Sequence, residues 1–112
     1  MSIKDGIYKL KLGDKDVELK GNWGCVSKIE DDLGKGLISF YMNDMANMNV
    51  TISQIVIIYL AGLKAMGDSR LKADEVSQMI LDDGIMVHIE KCMGFINQIV
   101  SGNGKQSNST KK

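Results

Sequence analysis

The sequence predicts an α+β fold: a short N-terminal β-hairpin packed on a bundle of about five short helices, mostly α. Three observations predict it. Between Ile7 and Leu19, apolar and charged residues alternate around Gly13-Asp14, the period-2 signature of a half-buried hairpin. From Trp23 onward the apolar spacing is helical instead. Ile55 to Leu63 is almost unbroken apolar sequence, and a helix apolar all round belongs in the middle of a domain or beneath a second subunit. A lone hairpin is marginal in water, so its apolar side must lie on the helices.

In the hairpin, Tyr8, Leu10 and Leu12 share one side and Ile7, Lys9 and Lys11 the other. Past the turn, Val17 and Leu19 alternate with Asp16, Glu18 and Lys20. Asn22 is the expected cap of a first helix from Trp23, with Trp23, Val26, Ile29 and Leu33 inward and Lys28, Glu30 and Asp31 outward. Gly34 sits where a left-handed glycine stops a helix. A second helix covers Leu37 to Met45 and breaks at Asn47-Met48-Asn49. The third opens on a capping box, Thr51 with Gln54, and on a staple of Val50 against Ile55. Met66 to Ser69 is turn chemistry. The fourth runs from about Ala73 to Asp82, with Asp74 and Glu75 against its N-terminal dipole, Val76, Met79 and Ile80 inward, and Asp83-Gly84 at its end. In the fifth, Ile85, Ile89, Cys92, Ile96 and Ile99 form the inner stripe, while His88, Glu90, Lys91, Asn97 and Gln98 face solvent. Residues 1–100 are read as one domain, and the polar stretch 101–112 as a disordered tail.

Charge narrows the function. Fourteen Lys and Arg balance 14 Asp and Glu, so the basic excess a nucleic-acid binder needs is missing. A helix-turn-helix built from the last two helices would present an acid and no arginine, a poor face for reading bases. The first twenty residues carry charges throughout, and the longest apolar run is far short of a membrane span, so a soluble cytoplasmic chain is expected. Cys25 and Cys92 have neither a redox nor a metal spacing and read as reduced, part-buried thiols.

Catalytic signatures are lacking. His88, the one histidine, reads as a surface residue with neither a nucleophile nor an orienting group nominated beside it. Asp31-Asp32 and Asp82-Asp83 lack the ligand alternation of a calcium loop, and Gly34-Lys35-Gly36 is too short for a phosphate loop. No cofactor, no metal and no enzymatic activity are expected. The informative residue is methionine, 8 in all, because flexible thioethers adapt a surface to varied apolar partners. Helices two, three and five together offer more apolar surface than so small a domain is expected to bury. The candidate client or self-association surface is therefore Leu37, Phe40, Tyr41, Met45, Tyr59, Met86 and Met93.

Several strings, in order, resemble the small tail assembly chaperones of long-tailed phages, in the gene-transfer-agent-type tail protein family, whose members are sometimes labelled phage tail tube protein. They are the charged hairpin; Trp23, Ile29-Glu30 and Leu33 to Leu37; Val50-Thr51-Ile52; Tyr59 to Leu63; Ala73 to Val76; and Asp83-Gly84-Ile85. Lys72 departs from the Ser or Thr usual at that cap. The resemblance implies a non-enzymatic chaperone that coats the apolar tape-measure protein in the bacterial cytoplasm, self-associates as a homo-oligomer, and is left out of the virion. In many members of the family a frameshifted longer form recruits tail tube protein, and the polar stretch 101–112 is where such an extension would join here. The alternatives are a structural tail component (a tube, completion or connector subunit) and, less in keeping with the charge balance, a DNA-binding regulator. A tube wall needs a β-rich subunit, and one hairpin does not provide it.

Overall fold

Alternation along Ile7–Leu12 and Lys15–Lys20 produces two antiparallel strands, β1 and β2, in the computed structural model, which describes residues 6–102. Leu12 pairs with Lys15, leaving Gly13-Asp14 as a two-residue loop. Gly13 has a φ of 63° while Asp14 keeps a negative φ, the pattern of a type II′ turn, whose twist matches that of the strands. Leu10, Leu12, Val17 and Leu19 are buried on one face. The other face carries the exposed pairs Lys9–Glu18 and Lys11–Asp16, at 4.0 and 3.3 Å.

The helices are α1 (Trp23–Leu33), α2 (Leu37–Ser39) running on as a π-helical segment (Phe40–Met45), α3 (Ile52–Ala65), α4 (Ala73–Asp83) and α5 (Ile85–Ser101). The α+β expectation is met. Helix ends fall where backbone groups find partners. Asn22 accepts from the Cys25 N–H at 2.9 Å, and Gly34 closes α1 at φ 74° with its N–H on the Glu30 carbonyl. Thr51 and Gln54 complete the expected box, at 3.1 and 2.9 Å. At α4, lysine has no side-chain acceptor, and only the Glu75 half forms: its carboxylate takes the Lys72 N–H at 2.9 Å. Glu30, expected to face solvent, instead accepts the Leu37 N–H at 2.9 Å and so caps α2, where Gly36 has no side chain to do it.

Half of α3 is buried, because β2, α1, α4 and α5 all pack on it. Its contact with the hairpin is close. A Cβ at Gly62 would lie 2.7 Å from the Leu19 Cβ, so only glycine lets the strand rest there. The π-helical segment changes the phase of the second helix. Five residues apart and aligned by the wider turn, Phe40 and Met45 are both fully buried. The segment then ends in a Schellman motif, with the Asn49 N–H on the Asp44 carbonyl at 2.7 Å and the Met48 N–H on Met45 at 3.0 Å. Met48 holds the left-handed position at φ 59°. The same motif closes α3, with Gly67 in that position at φ 79°.

Trp23 corrects the expectation for α1: it is 80% exposed. The buried line of α1 is Cys25 and Ile29, and Trp23 lies about 200° round the helix from Cys25. The stripe of α5 is also shifted. Phe95 and His88 join Ile89, Cys92 and Ile96 inside, whereas Ile85 is exposed and Ile99 half-buried. α5 is helical through Ser101, one residue beyond the expected domain end, and residues 103–112 of the expected disordered tail lie outside the described residues. No helix among the described residues is long and apolar enough to cross a membrane.

Gly62→Ala should lower unfolding stability by about 1–3 kcal/mol, because the clash is with a Cβ and the backbone must move. Met48→Gly should raise it by up to ~1 kcal/mol by relieving the left-handed strain. Urea denaturation of the two variants checks both signs.

Candidate functional site

Burial divides the candidate surface. Leu37, Phe40, Met45 and Tyr59 are interior, at 3, 0, 0 and 1% exposure, and offer nothing to a partner of the folded chain. The π-helical phase turns Phe40 and Met45 in, and α3's central place encloses Tyr59. Tyr41 and Met93 are half-buried against the core, with the Tyr41 hydroxyl donating to Asn97 Oδ1 at 3.1 Å. Met86 is exposed, at 63%.

The exposed apolar surface is instead made by their neighbours. Ile38 and Met42, one turn apart, are 66 and 62% exposed, and Met48 follows them. At the corner between α4 and α5, Leu81, Ile85, Met86 and Val87 are all exposed. The π-helical segment packs on α5 near Asn97, so these two patches lie toward opposite ends of α5. Their separation along that helix is about 18 Å at 1.5 Å per residue.

His88 is a further correction. It is fully buried, not a surface residue, and it lies in a chain of polar groups across the core. Its Nε2 is 2.7 Å from Asp83 Oδ2, and its Nδ1 is 2.7 Å from the Tyr59 hydroxyl. Asp83 Oδ2 also accepts the Gly13 N–H at 2.9 Å. Protons can be assigned from the partners. A carboxylate only accepts, so Nε2 carries a hydrogen, and on the neutral ring the Tyr59 hydroxyl donates to Nδ1. That hydroxyl also lies 3.4 Å from the His88 carbonyl oxygen. The chain thus links α3, α5, the end of α4 and the hairpin turn. Lys91 reinforces the last link, donating from Nζ to the Lys11 carbonyl at 2.9 Å.

The electrostatics are those of an ionised Asp83 and a neutral Tyr59. The His88 hydrogen bond, then the Gly13 N–H, hold the Asp83 carboxyl below the usual range. Burial pushes the Tyr59 phenol far up, helped by Cys92, Tyr8 and Asp83, so it remains a neutral donor. With Tyr59 and His88 both closed to solvent, this arrangement holds elements in place. Sequence spacing hid it because Tyr59 and His88 are 29 positions apart. The only local signal was His88 five residues after an acid, across a helix break.

Both thiols are free and buried. Burial raises Cys25 to about 12 and moves Cys92 in the same direction, so neither presents a thiolate. Among the described residues no cluster of His, Cys, Asp and Glu is arranged to hold a metal ion. Comparison of the chain with protein-family models, with curated proteins and with solved structures returns no match.

Asp83 gives a signed pH dependence. Its folded pKa lies below the ordinary ~3.9, so its contribution to stability is complete above that value and is lost as pH falls through the lower, folded one. Asp68, held at about 2 by Arg70, acts in the same window, so the comparison must be with a variant. Asp83→Asn should flatten the loss of stability between neutral and strongly acid pH relative to wild type. Tyr59→Phe leaves Nδ1 buried without a donor and should cost about 1–3 kcal/mol at neutral pH. Urea titrations across pH measure both effects.

Proposed function

We propose that this chain is a non-enzymatic assembly chaperone of a long-tailed phage or prophage, binding the tape-measure protein and keeping it soluble in the bacterial cytoplasm while the tail is built. One observation carries the reading: large apolar side chains, methionines prominent among them, stay exposed on a domain whose core is otherwise filled. Met42, Met48 and Met86 are 62, 46 and 63% exposed, and unbranched thioethers adapt to varied apolar helices. The ordered strings from the hairpin to Ile85 that resemble the tail assembly chaperones point the same way. The client face assigned here is Ile38 and Met42 with Met48, in place of the interior Phe40 and Met45. These residues contribute little to the core, so a charge on them tests binding without unfolding the domain.

Co-expression with the tape-measure protein of the same genome is the direct test. The client should be soluble and co-purify with wild-type chain, and should become largely insoluble with the Ile38→Asp/Met42→Asp variant, whose thermal midpoint should match wild type. A client indifferent to the chain overturns the reading. Recovery of the chain from purified virions would identify it as a structural tail component instead.

A further inference from the structure

Charge is missing from one end of the molecule. Charged residues make up 25% of the chain, yet between Lys35 and Lys64 the only one is Asp44, and between Lys91 and Gly102 there is none. The fold brings these two stretches together at the surface. The π-helical segment packs on α5, and the Tyr41 hydroxyl donates to Asn97 Oδ1 where they meet. Asp44 is itself neutralised, accepting from Lys35 Nζ at 2.7 Å. The charges at the α1 border are engaged or turned away. Glu30 takes the Leu37 N–H, Asp32 pairs with Lys28, and Asp31, two positions from the buried Ile29, is on the outer side of α1.

What this end exposes is a mixture of apolar and neutral polar side chains. Ile38, Met42, Met48 and Val100 project from it. Ser39, Asn43, Asn47 and Asn97 stand exposed among them. These neutral groups bond locally: Asn43 donates to Ser39 Oγ at 3.3 Å and Asn47 to the Asn43 carbonyl at 2.8 Å. The apolar corner at Leu81 to Val87 is different in kind, since the exposed acids Asp82 and Glu90 flank it.

A surface of this kind selects by what it rejects. A partner's charge pressed against it loses its water and finds no counter-charge, a cost that an uncharged side chain does not meet. The partner's main chain is constrained as well. The described residues at this end are helix and turn, with no strand edge to pair with. An extended segment would leave backbone groups covered and unpaired, whereas a helix satisfies its own. We propose that the charge-free end, from Ile38 to Met48 and across to Val100, holds an uncharged helical segment of the client, and that the absence of charge is what selects it. Leu37 to Met45 runs about 13 Å at 1.5 Å per residue, so the matching stretch of client helix is about nine residues. The inference rests on the chaperone reading and deepens it by naming the kind of segment held. With no field to steer the encounter, binding is insensitive to salt.

The probes are three labelled, end-blocked helical peptides that share one leucine stripe and differ only at its flanks, which are all glutamine, all lysine or all glutamate. Binding to the full chain is read by fluorescence anisotropy. The glutamine peptide should bind with an affinity that changes by less than about twofold between low and molar salt. The lysine and glutamate peptides should both bind roughly tenfold more weakly at low salt. Ile38→Asp/Met42→Asp should abolish binding of the glutamine peptide, and Met86→Asp should leave it unchanged. Asn43→Lys should recover the glutamate peptide and weaken the lysine one further. Equal binding of all three peptides overturns the proposal, and so does a preference for either charge over glutamine or loss of the glutamine peptide in molar salt. Competition for the peptide by neutral phosphatidylcholine vesicles also overturns it, giving the surface to lipid. A client kept soluble through Ile38 and Met42 while no peptide binds overturns this inference and leaves the chaperone reading standing. Peptide binding as expected, with a client indifferent to the chain, removes the chaperone reading alone.

Discussion

A two-stranded sheet has an apolar face and nothing of its own to bury it against, and α3 has more apolar surface than any one neighbour covers. Each solves the other's problem where Leu19 rests over Gly62. The backbones approach there to a distance that excludes even a methyl group. With β2 placed, α1, α4 and α5 close round the remaining sides of α3, and Ile55, Ile58 and Leu63 lose essentially all contact with water. The helix that looks self-sufficient in composition is the one most dependent on its surroundings.

Polar groups inside this packing are few and are used to fix alignment. The path from Tyr59 through His88 and Asp83 to the Gly13 N–H crosses from the central helix to the tip of the hairpin. Apolar contacts are tolerant of sliding, whereas a line of hydrogen bonds with every member satisfied is not. The hydrophobic contacts decide that the hairpin docks, and the polar path decides where.

Local chemistry was legible in the residues. Asn22, Thr51 with Gln54, Gly34 and Gly84 each mark a helix end because orphan backbone groups demand partners within a few positions. The two faces of the hairpin followed from strict alternation, because successive side chains point to opposite sides of a strand. Long-range effects were not legible. Glu30 looked like a solvent-facing residue until the next helix began beneath it. His88 fell on the polar side of α5 in a helical projection, and only its distant partners make an interior histidine tolerable there. The apolar excess behind the candidate surface was visible, but its identity was not. A π-helical turn carries Phe40 and Met45 inward and leaves Ile38 and Met42 outside, a choice that a 3.6-residue count does not distinguish.

The tip of a surface hairpin is ordinarily the place to splice in a tag or an extra segment, since little else depends on it. Here the tip is anchored: Gly13 is bonded to Asp83 and sits over Met79, and Lys11 beside it is held from α5. An insertion at Gly13-Asp14 would loosen the hairpin from α4 and α5 at once. The tolerant site is elsewhere, in the stretch between α3 and α4 near Ser69, where the backbone is exposed and its strongest tie is a local one between Asp68 and Arg70. A label or affinity handle placed there keeps the hairpin seated.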